Sequence, residues 1–268
     1  SDKTRFIWDG LRTQRLDRPY VRRDGRLVPA SWSEAFAAVK AAVSKTTGEK
    51  IGAIAGDLAA VEEMYALKLL MQSLGSANID CRQDGAALAP SLGRASYIFN
   101  PTIDGIEQAD AVLIVGSNPR FEASVLNARI RKRWRLGDLP VGVIGEVGDL
   151  RYDYEALGAG PETLQQLADG GIRFASVLKK AKRPLVIVGQ GALARPDGAA
   201  VLSLAAKLAD GLKAVRDDWN GFAVLHTAAA RVGGLDLGFV PGEGGRDVAG
   251  MMGTLDVLFL LGADELDM

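Results

Sequence analysis

The sequence predicts an α/β fold: two pseudo-repeated, Rossmann-like parallel-sheet units with helices on both faces, preceded by a short β-hairpin. Two pairs of rhyming segments carry that prediction. Residues 109–119 form an apolar run that breaks into the polar turn Gly116-Ser117-Asn118-Pro119, and residues 254–264 repeat the design through Leu258-Phe259-Leu260-Leu261-Gly262. Residues 50–56 and 184–189 are likewise apolar runs into glycine, followed by helical patterns over 61–74 and 198–209. Strands apolar at every position suit burial on both faces, and their alternation with helices marks a parallel sheet. The expected division is a hairpin segment over 1–30, a first α/β unit over 31–160 and a second over 161–268, which stops just after a strand.

Each element has a local reason. Tyr20-Val21-Arg22-Arg23 and Arg26-Leu27-Val28 flank Asp24-Gly25, a pair that supplies positive φ to a two-residue hairpin turn. Ser31-Trp32-Ser33-Glu34 follows the capping-box pattern at a helix start. Phe36, Val39 and Val43 give that helix an apolar stripe, and Gly48 is expected to end it. Met64, Leu67, Met71 and Leu74 recur at helical spacing and should bury one face. Residues 78–94 are turn-rich. A strand over 111–115, a long helix over 122–135 and a short strand over 141–144 come next. Residues 149–160 read as a connection between the units, and Pro161 opens a helix reaching Ala168. Phe174, Val177 and Leu178 mark another helix ahead of the strand over 185–188. Residues 233–253 are dense in glycine, including Gly242-Glu243-Gly244-Gly245, and read as either a binding loop or a flexible connection.

Composition excludes several classes. The 268 residues, 48% hydrophobic, suffice for one large or two smaller cores. With Lys+Arg 32 against Asp+Glu 33, the chain lacks the basic excess of a nucleic-acid binder. No apolar stretch approaches the length of a membrane span, and the start carries no signal-peptide core. The single cysteine, Cys81, rules out an internal disulfide and suggests a reducing compartment. It also rules out an iron–sulfur cluster held by these residues alone, which takes about four thiolates. His226 is the only histidine, so a zinc site or a Ser-His-Asp triad would depend on it.

The candidate sites are each open to a plainer reading. Gly189-Gln190-Gly191-Ala192-Leu193-Ala194 fits the dinucleotide pattern G-x-G-x-x-A after a strand. Against it, Arg195-Pro196-Asp197 intervenes before the helix, and Asp210, near the spacing of a ribose-binding acid, ends a helix. Gly116-Ser117-Asn118 lies outside the carboxyl end of a strand, where open α/β sheets bind ligands, but a buried strand also needs a polar exit there. Arg129, Arg131, Lys132, Arg133 and Arg135 crowd one helix, as a phosphate or acidic-partner site or as a solvated face. The basic stretch from Arg12 to Arg26 reads as contact with a neighbouring domain or subunit, or as plain solvation. Cys81 is a soft metal ligand or a lone buried thiol, and the latter is favoured because no second thiolate or imidazole is near it in sequence. His226, in an apolar context read as helical, is taken as a hydrogen-bonded core residue. Glu62-Glu63 and Asp264-Glu265 are adjacent pairs that diverge, whereas acid–base chemistry needs convergence. No catalytic residue emerges.

Arg22-Arg23-Asp24-Gly25-Arg26 ahead of Ser31-Trp32-Ser33-Glu34-Ala35, together with the run over 109–119, resembles the molybdopterin-oxidoreductase family, which also pairs two α/β halves. A narrower resemblance rests on Asp9-Gly10-Leu11-Arg12, Tyr97-Ile98-Phe99-Asn100-Pro101, Asn118-Pro119-Arg120 and Val125-Leu126-Asn127-Ala128-Arg129-Ile130-Arg131-Lys132. Asp149-Leu150-Arg151-Tyr152-Asp153-Tyr154, Arg195-Pro196-Asp197-Gly198-Ala199-Ala200 and Leu258-Phe259-Leu260-Leu261-Gly262-Ala263-Asp264 extend it over essentially the whole sequence. These segments are similar to the large peripheral iron–sulfur subunits of respiratory complex I, the NADH–quinone oxidoreductases.

That resemblance implies a piece of the subunit's molybdopterin-type part, starting after a cysteine-rich region and stopping mid-fold. It implies 2Fe-2S and 4Fe-4S clusters in the missing N-terminal part and none here. The implied partners are the other peripheral-arm subunits and the cluster-bearing part of the same chain, with no nucleic acid and no direct membrane span. The implied location is the cytoplasmic face of a bacterial inner membrane, or the mitochondrial matrix side. The complex passes electrons from NADH through FMN and iron–sulfur centres to quinone, and this piece would be scaffold. In active molybdenum enzymes of the wider family, a Cys, selenocysteine, Ser or Asp ligates the metal in the loop after the first strand–helix pair. Here that loop reads Ile79-Asp80-Cys81-Arg82-Gln83-Asp84-Gly85, where only Cys81 and Asp84 could substitute. The resemblance to complex I implies that the cofactor is lost, leaving Gly116, Ser117, Asn118, Gly242, Gly244 and Gly245 as candidates for a vestigial pocket. The competing reading is a functional molybdopterin- or nucleotide-binding oxidoreductase that uses those residues as phosphate cradles. A third reading, a thiamine-enzyme-like middle domain, rests on Arg183-Pro184-Leu185-Val186-Ile187-Val188-Gly189.

Overall fold

A computed structural model describes residues 5–11, 13 and 15–263. Strands β1 (Tyr20–Arg23) and β2 (Arg26–Pro29) form the expected hairpin, with Val21 opposite Val28. Asp24 and Gly25 take φ of 48° and 78°, the paired positive values of a tight hairpin turn. Helix α1 (Trp32–Val43) opens on a complete capping box: the Glu34 amide donates to Ser31 Oγ, and the Ser31 amide donates to the Glu34 carboxylate. It closes at Ser44, and Gly48 instead opens a short 3-10 turn (Gly48–Lys50). Its apolar stripe faces out, since Trp32, Phe36 and Val39 are exposed and only Val43 packs on the core.

The chain then runs β3 (Ile51–Ala55), α2 (Val61–Ser73), β4 (Asn78–Asp80), α3 (Thr102–Gln108), β5 (Ala111–Val115), α4 (Pro119–Glu122) and α5 (Ser124–Trp134). It continues through β6 (Val141–Ile144), β7 (Glu155–Gly158), α6 (Pro161–Ala168), α7 (Arg173–Lys180), β8 (Pro184–Val188), α8 (Gln190–Leu193) and α9 (Gly198–Gly211). The last elements are β9 (Val215–Arg216), β10 (Trp219–Asn220), β11 (Phe222–Val224), α10 (Arg231–Asp236), α11 (Val248–Met251) and β12 (Val257–Leu261).

Two parallel sheets organise these elements: five strands in the order β11-β8-β5-β6-β7, and three in the order β12-β3-β4. The continuous apolar runs that became β3, β5 and β8 are central strands, and alternation explains why. Ala111, Leu113 and Val115 of β5 face a core shared with α6, α7 and α9, while Val112 and Ile114 face α3 and α5. Val186 and Val188 of β8 join the first core and Leu185 and Ile187 the second. Both faces are dry, so every position must be apolar.

The sheets do not follow the expected boundary at 160/161. β5, from before it, pairs with β8 from after it, and β3 pairs with β12 in the register Ile51↔Val257. Three elements also depart from expectation. Residues 78–94 include β4, whose Asn-Ile-Asp sequence has no apolar run but is pinned by Asn78 donating to the Glu49 and Ile51 carbonyls. The connection over 149–160 holds β7, an exposed edge strand that pairs with β6 across a register shift. The segment before His226 is strand β11 rather than helix, because its three residues lie in parallel register along β8, from Phe222 opposite Val186 to Val224 opposite Val188.

Candidate functional site

The five-stranded sheet reverses direction at one place. From β5 the chain steps outward through β6 and β7, then crosses to β8 and β11 on the other side. The crevice at such a switch point, beyond the carboxyl ends of the strands, is where open α/β sheets bind ligands. Here the loops after β5 and β8 press directly together. A Cβ on Gly116 (φ +59°) would lie 2.4 Å from Ala192 Cβ, one on Gly189 2.4 Å from Ser117 Cβ, and one on Gly191 2.8 Å from the Gly116 carbonyl oxygen. The glycines of the dinucleotide-like motif are therefore required by loop-on-loop packing, whatever else they do. Beside this contact opens a cavity of about 300 Å³, lined among others by Gly116, Ser117, Asn118, Glu122, Glu146, Gly191 and Arg195.

The cavity's anion-type donors are engaged from within. Glu122, at the end of the single turn α4, accepts Ser117 Oγ–H at 2.7 Å with one carboxylate oxygen and the Asn118 amide at 2.9 Å with the other. Asn118 Nδ2 donates to the Val147 carbonyl at 2.7 Å, and its buried Oδ1 has no partner. Arg195 is paired with Asp197 at 2.7 Å, and Glu146 adds a second carboxylate to the wall. A phosphate entering here would meet two negative groups and compete with Glu122 for the turn's donors.

A second cavity, of about 570 Å³, lies at the carboxyl ends of β3 and β4 and includes Asp57, Asp80, Arg82, Asp84 and Asp247 in its wall. The expected metal-ligand loop borders it. Arg82 binds buried Asp80 with two nitrogens, at 2.8 and 3.0 Å, and its remaining nitrogen reaches the Leu88 carbonyl at 2.9 Å. Asp84 is tied at 3.0 Å to Arg231, whose side chain is 1% exposed and whose Nε donates to the Cys81 carbonyl at 3.1 Å. Cys81 is buried under α10, so close that a Cβ on Gly234 would stand 2.7 Å from its Sγ.

Burial, reinforced by the Asp80 carboxylate, pushes the Cys81 thiol up to about 12. This donor set does not fit a molybdenum centre: the thiol lies under a helix and resists ionisation, and Asp84, the other candidate ligand of that loop, is held by Arg231. Native Cys81 is accordingly expected to react with iodoacetamide at pH 8 on the order of a thousandfold more slowly than the unfolded chain. Mass spectrometry of timed samples checks this, and labelling at the unfolded rate would refute the buried, un-ionised thiol.

The other candidates fall elsewhere. Gly242 and Gly245 lie against the outer side of β4: the Gly242 amide donates to the Ala77 carbonyl at 3.0 Å, and a Cβ on Gly245 would stand 2.2 Å from that oxygen. With Gly244 they form an edge cover that does not join Gly116-Ser117-Asn118. The basic residues of α5 are largely paired. Arg129 and Lys132 hold Glu107, Arg131 reaches the Arg151 carbonyl, and Arg133 reaches those of Ala109 and Gly137. In the N-terminal stretch Arg23 pairs with Glu34 and Arg18 with Asp17, while Arg12 lies outside the described residues. Glu62 and Glu63 are exposed, Glu63 capping α2 through the Ala60 amide, and Asp264-Glu265 lies outside the described residues. His226 sets Nε2 against the Tyr97 carbonyl, and burial lowers its pKa below the usual imidazole value. Sequence reasoning missed Glu122 and Arg231. The available signal for Arg231 was a lone charge inside Ala228-Ala229-Ala230-Arg231-Val232-Gly233, a setting that an unpaired arginine does not tolerate.

Parallel sheets whose central strands are buried on both faces, with crevices at their carboxyl ends, define an open, doubly covered α/β domain. The family model described as molybdopterin oxidoreductase matches residues 15–268, and the chain belongs to that family. It is 45% identical over 266 residues to the G subunit of NADH-quinone oxidoreductase from Rickettsia bellii (strain RML369-C), an alignment covering 99% of this chain and 38% of that relative. It is 42% identical over 269 residues to the mitochondrial NADH dehydrogenase [ubiquinone] iron-sulfur protein 1 of Solanum tuberosum, covering 100% of this chain and 36% of that protein. The chain thus spans little more than a third of these relatives' length. Among solved structures, a chain of the formyltransferase/hydrolase complex of Methylorubrum extorquens, crystallised with methylofuran, superposes with a TM-score of 0.54 at 20% identity. That match covers 83% of this chain and 66% of the other, and speaks for the fold alone.

Proposed function

We propose that this chain is the scaffold portion of a large iron–sulfur subunit of an NADH–quinone oxidoreductase, acting without a redox centre of its own. The whole complex would transfer electrons from NADH through FMN and iron–sulfur centres to quinone, with the 2Fe-2S and 4Fe-4S clusters held by polypeptide outside these residues. The observation that carries the reading is the pairing of a cofactor-type architecture with occupied chemistry. Glu122 takes up the donors of the switch-point turn, and in the candidate metal loop Arg231 holds Asp84 while burial disfavours ionisation of Cys81. What remains is a rigid, doubly covered sheet that can hold neighbouring parts in place.

The N-terminal face supports a contact role. Trp32, Phe36 and Leu27 are more than half exposed there, beside Arg22, Arg23 and Arg26, and such a mixed apolar and basic surface suits the cluster-bearing part of the same chain. The other peripheral-arm subunits are the remaining partners, with no nucleic acid. Among the described residues no helix is long and apolar enough to cross a membrane. Within a membrane-associated complex the chain would sit on the cytoplasmic side of a bacterial membrane, or on the matrix side of a mitochondrial one.

The test is affinity purification of the tagged protein from its source, followed by metal analysis and NADH–quinone reductase assay. Co-purification with the flavin- and cluster-bearing subunits, with iron but no stoichiometric molybdenum, is the expected result. Stoichiometric molybdenum, or submillimolar binding of a pterin dinucleotide in calorimetry, would favour the functional-cofactor reading and overturn the scaffold. The 300 Å³ cavity beside Asn118 is the feature that keeps that alternative testable.

A further inference from the structure

We infer that the outer face of α5 is a docking surface for another protein chain, one that brings an acidic, amphipathic segment. The inference rests on the reading of this chain as part of a larger complex and specifies one contact within it. Helix α5 has two unlike sides. Asn127 and Ile130 are buried, Leu126 and Trp134 pack on the core, and the Asn127 side chain is fixed between the Leu150 carbonyl and the Tyr152 hydroxyl. That inner side anchors the helix along its length, so the outer side is a fixed surface rather than a fraying one.

The outer side is not a plain solvated face. Val125 is 74% exposed, Leu136 in the turn that follows is 79% exposed, and Ala128 and Lys132 lie between them at helical spacing. Phe121 of α4, 79% exposed, stands just ahead, with Arg120 Cζ 5.8 Å from its ring centre. Exposed hydrophobics scattered singly need no explanation, whereas a row of them rimmed by charge marks an interaction site. Here the rim is cationic, made by Arg129, Arg131, Lys132 and Arg135. Among the described residues one carboxylate, Glu107, meets these four, through Arg129 and Lys132. Arg131 donates to a backbone carbonyl, which orients a guanidinium without cancelling its charge. In a chain of formal net charge -1, that surplus is local. A hollow of about 330 Å³ opens beside it, lined by Ala128, Arg131, Lys132, Arg135 and Leu136. Apolar and cationic groups together complement a carboxylate carried on an apolar stem.

The same features select the occupant. A phosphate backbone or an anionic lipid surface is served best by cations without a competing carboxylate, and Glu107 already occupies Arg129 and Lys132. A second copy in a two-fold contact would set this face against itself, cation against cation. An acidic protein segment meets both requirements, with apolar side chains on Val125 and Leu136 and carboxylates on Arg131 and Arg135.

Hydroxyl-radical footprinting with mass spectrometry tests this on the intact protein, purified from its source with the chains that accompany it. Phe121 and Leu136 are expected to oxidise on the order of tenfold more slowly than in the unfolded chain. A carbodiimide, which joins an amine to a carboxylate it touches, is expected to link Lys132 to an Asp- or Glu-rich peptide of another chain. Val125→Glu, at an exposed position that leaves the inner side intact, is expected to cut the yield of that link about tenfold or more. Oxidation of Phe121 and Leu136 at close to the unfolded rate would overturn the docking face. So would protection whose only link from Lys132 is to its own Glu107 or to a second copy, and so would protection lost when detergent strips bound lipid, which marks a membrane surface. The chains in the same preparation keep the two readings apart. Flavin- and cluster-bearing subunits present, with Phe121 and Leu136 freely oxidised, remove only the docking face. Their absence removes the complex reading and leaves the footprint to decide the face.

Discussion

Replacing Arg231 by methionine is expected to lower the unfolding free energy by about 2–4 kcal/mol. Among the described residues Arg231 is the largest fully buried side chain, 1% exposed, and it joins two segments far apart in sequence. Its Nη2 holds Asp84 at 3.0 Å, and its Nε donates to the Cys81 carbonyl at 3.1 Å, so the loop that follows β4 is fastened to α10 through this group. Methionine fills comparable volume but donates nothing. The Cys81 carbonyl would then lose a buried partner, and Asp84 would lose its counter-charge. Because the Asp84 side chain is 30% exposed, water relieves part of that loss, which places the cost below that of breaking a wholly buried pair. A lysine at this position would keep the charge but lacks the planar fork whose separate nitrogens reach Asp84 and the Cys81 carbonyl, and should recover less than half of the difference. Urea unfolding of the three proteins, with the slope checked for constancy, measures this. A loss under about 1 kcal/mol for the methionine variant would show that the arginine does not fasten the loop.

Much of this architecture is written in short-range patterns, and the exceptions have a common cause. The hairpin at Asp24-Gly25, the Ser31–Glu34 box and the apolar strands β3, β5, β8 and β12 follow from turn chemistry, capping and unbroken apolar runs. β4, β7 and β11 were not legible because what makes them strands is their neighbours. Asn78 and Asp80 are polar residues pinned by side-chain bonds, β7 is exposed, and β11 is three residues laid along β8. The halves that rhyme along the chain are also interleaved in space, since strand pairing depends on long-range register that local periodicity does not encode. The candidate site divides the same way. The turn after β5 was visible from its place beyond a strand. That Glu122 would occupy its donors was not, because the carboxylate lies four residues beyond Asn118 and reaches it only when α4 makes its single turn.

Gly116→Ala is expected to cost about 3 kcal/mol or more, and the reason bears on whether the switch-point crevice can open. Gly116 sits at φ +59°, which a side chain tolerates poorly, and an added Cβ would also lie 2.5 Å from the Ala192 backbone nitrogen and 2.9 Å from its Cα. Backbone cannot swing aside as the end of a flexible side chain can, so the loops after β5 and β8 would have to separate. Gly244→Ala provides the contrast. Its φ of +70° is equally unfavourable, but nothing lies within 4 Å of the added atom, so only the conformational cost of about 1 kcal/mol should appear. The difference between the two losses, read from thermal or urea unfolding, isolates the close packing of the loops from the strain of a left-handed residue. If the two variants lose the same stability, the loops after β5 and β8 are free to part, and the crevice beside Glu122 could admit a ligand. If Gly116→Ala loses far more, the contact that shapes the crevice is a rigid element of the fold, as a scaffold requires.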